Sequence, residues 1–210
     1  MAKSVYISCG NIAVANMFHA HSWSISPSIK QSDLVVFTGG EDVNPALYQQ
    51  SCMKATQFNP QRDTRDIVSF KGAKKFDKPM VGICRGAQFL NVMCGGSLWQ
   101  HVAGHTVTHQ VIDEIENVYW RTSSTHHQMM IPTKEAFIIG RANVATYKTR
   151  RIKDGGAELS RTPAKKDWED VEVCQYEKPD CLCFQGHPEY NDDTPTKAKF
   201  FYYLENYLMP

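Results

Sequence analysis

The chain has 210 residues and a mass of 23.8 kDa, near the size of one large domain and long enough to bury a core without disulfide or metal staples. Hydrophobic residues make up 42% and charged residues 21%, and 23 basic side chains face 22 acidic ones for a net charge of +1. These figures exclude collagen-like, disordered and coiled-coil chains, and the balanced charge argues against a nucleic-acid partner, which calls for a basic excess or stripe.

The nearest basic cluster, Arg150, Arg151 and Lys153, adjoins Asp154 and reads as a solvated loop. Apolar runs such as Leu34–Phe37 are too short to span a bilayer, so no membrane association is expected. The opening Met-Ala-Lys-Ser-Val-Tyr-Ile-Ser carries no signal-type apolar region and reads as a first strand. Seven cysteines, an odd number without a signal peptide, point to free thiols in a reducing compartment. The expectation is a cytoplasmic protein of one domain over residues 1–210.

In chain order, residues 5–8 read as a buried strand and residues 11–23, with apolar positions at helical spacing, as a helix. Residues 33–38 form a β-branched strand that stops at Gly39-Gly40. A loop runs through Pro60, residues 63–76 make an amphipathic helix, and Met80–Ile83 is a short strand too apolar for a sheet edge. Residues 87–94 make another helix, closed by Gly95-Gly96. This alternation predicts an α/β fold with a mainly parallel sheet and helices on both faces. The second half differs. Residues 111–120, 136–142, 171–176 and 181–185 are short alternating runs that predict antiparallel strands, the last two joined by a turn at 177–180. Residues 144–168 read as a surface excursion, and Thr194-Pro195 opens a C-terminal helix reaching residue 208.

Residues 80–90, Met-Val-Gly-Ile-Cys-Arg-Gly-Ala-Gln-Phe-Leu, place Cys84 inside Gly82-x-Cys84-x-Gly86 between a strand and a helix. That is the cysteine form of a nucleophile elbow, in which a tight turn lifts the reactive side chain clear of the sheet. The helix N-terminus beneath it favours a thiolate. A thiolate nucleophile needs a base and the base an orienting group. Residues 185–189, Gln-Gly-His-Pro-Glu, offer both. Pro188 pushes His187 into extended geometry, so His187 and Glu189 share one side of the chain.

With Gln88 downstream of the elbow and His-Pro-Glu near the C-terminus, the sequence resembles the class I glutamine amidotransferase superfamily and its Cys-His-Glu triad. The nearer likeness is to its branch of gamma-glutamyl-gamma-aminobutyrate hydrolases. Residues 39–48, Arg65-Asp66, residues 91–100 and Ser124-Thr-His-His-Gln128 carry that likeness, which extends from residue 39 to residue 190. The resemblance implies a flavodoxin-like sheet and cysteine-dependent hydrolysis of a small-molecule gamma-glutamyl amide. Cys84 would be the nucleophile, His187 the general base and acid, and Glu189 its orienter. The backbone N–H groups of Gly40 and Arg85 would form the oxyanion hole, and Gly39, Gln88, Ser124, His126 and His127 would bound the substrate. No cofactor or metal is implied.

Two departures stand out. The segment between the first strand and Leu34 is short for the family, and Gly186 replaces a bulky residue, an opening that could admit a leaving amine larger than ammonia. Three readings of function remain: a stand-alone gamma-glutamyl hydrolase, a glutaminase subunit feeding ammonia to a separate synthase or ligase, and a silent binding protein of the same fold. A homodimer is the other protein partner to consider. The repeat His101-x3-His105-x3-His109 suggests a metal site on a helix. Gly104, Thr106, Val107 and Thr108 disfavour that helix, so no metal is expected there.

Overall fold

The structure is a computed structural model, which describes residues 3–142, 146–151, 157–162, 170–190 and 194–210. Its first strand, β1 (Ser4–Ser8), leads through a turn to helix α1 (Ile12–Ala20). Asn11 sits outside the helix in extended geometry, and its side chain accepts from the Val14 N–H at 3.1 Å, as an N-cap should. Strands β2 (Ser24–Ile25) and β3 (Leu34–Phe37) follow. Helix α2 (Pro60–Lys75) starts three residues earlier than its apolar periodicity suggests. Pro60 occupies the first helical position, where its missing N–H is no loss, and Asn59 caps the N–H groups of Gln61 and Arg62. Strand β4 (Met80–Ile83) then passes through Cys84 directly into helix α3 (Arg85–Met93).

Short strands β5 (Ser97–Trp99) and β6 (His101–Val102) precede a hairpin of β7 (His109–Asp113) and β8 (Val118–Thr122). The run at 111–120, expected as one strand, thus folds back on itself at the Asp113–Val118 pair. Asp113 drives that turn by accepting the N–H groups of Ile115 and Glu116, each at 3.0 Å. The remaining elements are β9 (Met129–Ile131), β10 (Phe137–Ala142), β11 (Thr146–Arg151), β12 (Ala157–Thr162), β13 (Val171–Glu177), β14 (Asp180–Phe184) and α4 (Thr194–Tyr203). Helical turns continue to Leu208. Half of the expected excursion at 144–168, including Lys153, lies outside the described residues.

The large sheet has the order β2-β1-β3-β4-β14-β13-β10-β7-β8, with β9 on β13 and β5 on β9. Its first part is parallel, down to the β4–β14 pair, and the rest antiparallel. Expected as an antiparallel strand, β14 is both: parallel to β4 on one side and antiparallel to β13 on the other. It is therefore the seam between the two halves. A second sheet runs β12-β11-β6.

Alternation along the strands divides the core in two. Leu34, Val36, Ile83 and Phe184 pack with Phe18 of α1 and Phe200 of α4. Val35, Phe37 and Met80 pack with Phe70 of α2 and Phe89 of α3. Strands buried on both faces explain why β3 and β4 are unbroken apolar runs. Among the described residues, no helix is long and apolar enough to cross a membrane.

Candidate active site

Cys84 joins β4 to α3 with φ 51° and ψ −111°, a conformation that non-glycine residues avoid. Such strain costs roughly 1–3 kcal/mol and persists only where the surroundings impose it. Here the imposing contacts are visible. A Cβ on Gly82 would lie 2.4 Å from the backbone of Gly86 and Ala87, and one on Gly86 would lie 2.1 Å from the Phe37 carbonyl oxygen. Only glycine lets the strand and helix approach this closely. The turn is further held by the Cys84 N–H, which donates to the Phe184 carbonyl at 2.9 Å.

His187 follows β14, and its backbone is clamped to Ser123. The His187 N–H donates to the Ser123 carbonyl at 3.3 Å, and the Ser123 hydroxyl donates to the His187 carbonyl at 3.0 Å. Nδ1 of His187 lies 2.8 Å from Glu189 Oε1, as the extended i, i+2 geometry predicts. Since a carboxylate only accepts, the proton sits on Nδ1 and Nε2 is turned to the cavity. Gly39 packs between the two reactive groups: a Cβ there would lie 3.3 Å from His187 Cε1 and 3.8 Å from Cys84 Cβ. Burial alone would lower the His187 pKa. Hydrogen bonds to Cys84 and Glu189 outweigh it and raise the value to about 11, so the imidazolium is the resting form.

Two neighbours of His187 escaped the sequence reading. Thr125 Oγ1 lies 2.9 Å from Nε2, and the Tyr190 ring stacks on the imidazole with centroids 4.6 Å apart. Neither residue type marks itself in sequence.

The cavity has a volume of about 280 Å³ and is walled by Gly40, Cys84, Arg85, Gln88, Thr125 and His187, with His126, His127 and Gln128 along one side. That is just below the common range of small-ligand sites, about 300–1,000 Å³. At its floor Arg85 opens α3, so its N–H has no partner within the helix. Gly40, with φ +148°, stands at the end of β3.

Both segments are tied together underneath. The buried Arg85 guanidinium bonds Asp63 at 2.5 Å and also Asp66. Asp66 in turn accepts from Arg62 Nε at 3.0 Å and from the Ser8 hydroxyl at 2.6 Å. Arg62 reaches on to the carbonyls of Thr38 at 3.0 Å and Gly39 at 3.4 Å. An ion-pair chain therefore spans the two expected oxyanion donors.

The expected substrate-binding residues are distributed less evenly. The Gln88 amide donates to the Gln128 carbonyl at 3.2 Å, and His127 pairs with Asp42 at 3.0 Å, which raises its pKa. Ser124 turns inward to the His105 carbonyl and does not line the cavity. His126 reaches the cavity wall but directs Nε2 toward Glu172 at 3.3 Å in the interior. A side chain at Gly186 would strike Thr122 Oγ1 at 2.2 Å and Thr196 at 3.2 Å. Position 186 therefore faces the core, and its lack of bulk opens no extra room beside His187.

A family model described as peptidase C26 matches residues 3–189. The chain belongs to the peptidase C26 family. This is the gamma-glutamyl hydrolase-like branch of the class I glutamine amidotransferase-like superfamily. Among similar proteins, "Putative glutamine amidotransferase-like protein YvdE" of Lactococcus lactis is 32% identical over 160 residues, 75% of this chain and 66% of that one. The matched region thus spans just under two thirds of that relative. PurLQS from Thermotoga maritima superposes with a TM-score of 0.66 at 15% identity, covering 99% of this chain and 100% of that one. A glutamine amidotransferase from the same organism gives 0.55 at 13% identity, covering 97% and 82%. At those identities the likeness is one of fold.

Proposed function

We propose that this C26 protein hydrolyses a gamma-glutamyl amide through a thioester on Cys84. The observation that carries the reading is the strained elbow at Cys84, set across Gly39 from an imidazole whose far nitrogen is held by Glu189. The thiolate attacks the side-chain carbonyl carbon, and the oxyanion that forms accepts from the N–H groups of Gly40 and Arg85. The His187 imidazolium protonates the departing nitrogen as the C–N bond breaks, leaving a gamma-glutamyl thioester. Neutral His187 then takes a proton from water, whose oxygen attacks the thioester. Glutamate leaves, the thiolate returns, and His187 is again protonated. Gln88, Gly39 and His127 bound the substrate in this scheme, while Ser124 supports the wall from behind.

The leaving group separates two readings. The gamma-glutamyl hydrolase-like branch supports an enzyme that works alone. Fold neighbours that include amidotransferase subunits of synthase complexes support a glutaminase with a synthase partner. The core-facing position of Gly186 removes the argument for a large amine. The test is glutamate release by purified protein alone, from glutamine and from gamma-glutamyl amines of increasing size. Turnover that disappears in Cys84→Ala, with an electrophilic glutamine analogue labelling Cys84, is the expected result. Silence on every substrate until a synthase is supplied would favour the glutaminase, and labelling elsewhere would remove the Cys84 mechanism.

A further inference from the structure

We infer that His105, His109, His126 and Glu172 form a zinc site adjoining the substrate cavity. The four come from separate places: the loop after β6, the start of β7, the 123–128 segment and β13. All are buried, and one potential ligand atom from each lies within 4.8 Å of the others. Glu172 Oε1 is 3.1 Å from His105 Nδ1, 3.0 Å from His109 Nε2 and 3.3 Å from His126 Nε2. Those separations already match the edge of a zinc tetrahedron, about 3.3 Å for bonds near 2.0–2.1 Å.

The second nitrogen of each ring decides the chemistry. His109 Nδ1 lies 2.9 Å from the Val107 carbonyl, and His126 Nδ1 lies 2.9 Å from the Gln128 carbonyl, nearer than the Gln185 amide at 3.4 Å. His105 Nε2 lies 3.2 Å from Asp170. Carbonyls and carboxylates only accept, so each ring carries its proton on that outer nitrogen. The inner nitrogens of the neutral rings then direct three lone pairs at one carboxylate oxygen. That arrangement is repulsive unless cations intervene.

Three added protons would crowd three positive rings into a space closed to water, at high desolvation cost. One divalent ion satisfies all three lone pairs and is countered by Glu172 and Asp170. Outer nitrogens fixed by carboxylate or carbonyl are also the arrangement that orients metal-bound histidines. Two buried atoms support the same reading: His126 Nε2 and Glu172 Oε2 have no hydrogen-bond partner. Three imidazoles and a carboxylate suit Zn²⁺ over Mg²⁺ or Ca²⁺, which prefer oxygen ligands.

With all four positions filled by protein, the ion is structural. It would staple the 123–128 segment, which carries Thr125 and His127 of the cavity wall, to β7 and β13. The sequence reading dismissed a metal because 101–109 is not helical. That segment is indeed a loop and strand, and the third histidine comes from elsewhere in the chain.

The test uses the full chain, stripped with a chelator and checked for folding by circular dichroism, then titrated with Co²⁺. The expected result is one equivalent bound with the intense visible d–d bands of a tetrahedral ion, displaced stoichiometrically by Zn²⁺. Cys84→Ala should bind identically. His105→Gln, and separately Glu172→Gln, should weaken binding at least 100-fold. Folded wild-type protein that binds neither Co²⁺ nor Zn²⁺ would overturn the site without reference to either variant. So would a thiolate charge-transfer band, a weak octahedral spectrum, or binding unchanged in His105→Gln. None of these readouts depends on turnover, so the hydrolase reading stands or falls separately.

Discussion

Replacing Asp66 by Asn tests whether the buried ion-pair chain supports the oxyanion donors. The substitution keeps shape and removes one charge. In the native chain Asp66 is fully buried and accepts from Arg85, from Arg62 at 3.0 Å and from Ser8 at 2.6 Å. Asparagine offers one acceptor and sets an NH₂ group against guanidinium donors. Removing one partner of a buried pair typically costs about 3–5 kcal/mol. Asp63 still holds Arg85 at 2.5 Å, which places the loss near the lower end, about 3 kcal/mol. For a chain of this length each kcal/mol moves Tm by roughly 2–4 °C, so a fall of about 6–12 °C is expected. Losing an oxyanion donor outright costs roughly 10²–10³ in rate. Here the donors would be displaced rather than deleted, and glutamate release measured well below Tm should fall about tenfold in kcat with KM little changed. A Tm within 2 °C of wild type, together with unchanged kcat, would refute the argument that this chain of charges positions the floor of the site.

Three further outcomes follow from the same geometry. His187→Ala should lose about 10²–10⁴ in rate, the range of general acid–base catalysis, and Glu189→Gln should lose less because an amide oxygen can still accept from Nδ1; equal, near-wild-type rates would reduce His-Pro-Glu to a turn. Gly86→Ala and Gly82→Ala, whose new Cβ atoms would meet backbone at 2.1 Å and 2.4 Å, should prevent stable folding, whereas Gly186→Ala should lower stability against Thr122 yet leave the ranking of leaving amines unaltered; a changed ranking would return position 186 to the pocket. Because the His187 pKa is raised from 6.5 to about 11, its ionic stabilisation is complete below about pH 6.5 and fades as pH rises toward 11. Urea midpoints for wild type and His187→Gln should therefore converge with rising pH, and a gap that widens would reverse the sign of this assignment.

What could be read from the sequence rests on local physics. Gly82-x-Cys84-x-Gly86 requires glycine wherever a strand and helix touch, and Pro188 dictates the extended step that joins His187 to Glu189. The unbroken apolar runs of β3 and β4 record burial on both faces, so the parallel half of the sheet was legible as well. Turn chemistry was legible less often: Asp113 splits the 111–120 run by bonding the next N–H groups, a contact that competes with strand alternation.

Tertiary structure alone decided the rest, because it depends on which distant side chains meet. Ser124 points to a carbonyl nineteen residues earlier, Gly186 faces Thr122 instead of substrate, and Thr125 reaches His187 across 62 positions. His105 and His109 acquire His126 and Glu172 only because β7 and β13 both pair with β10. Periodicity records which face of an element is buried. It carries no information about what waits on the other side.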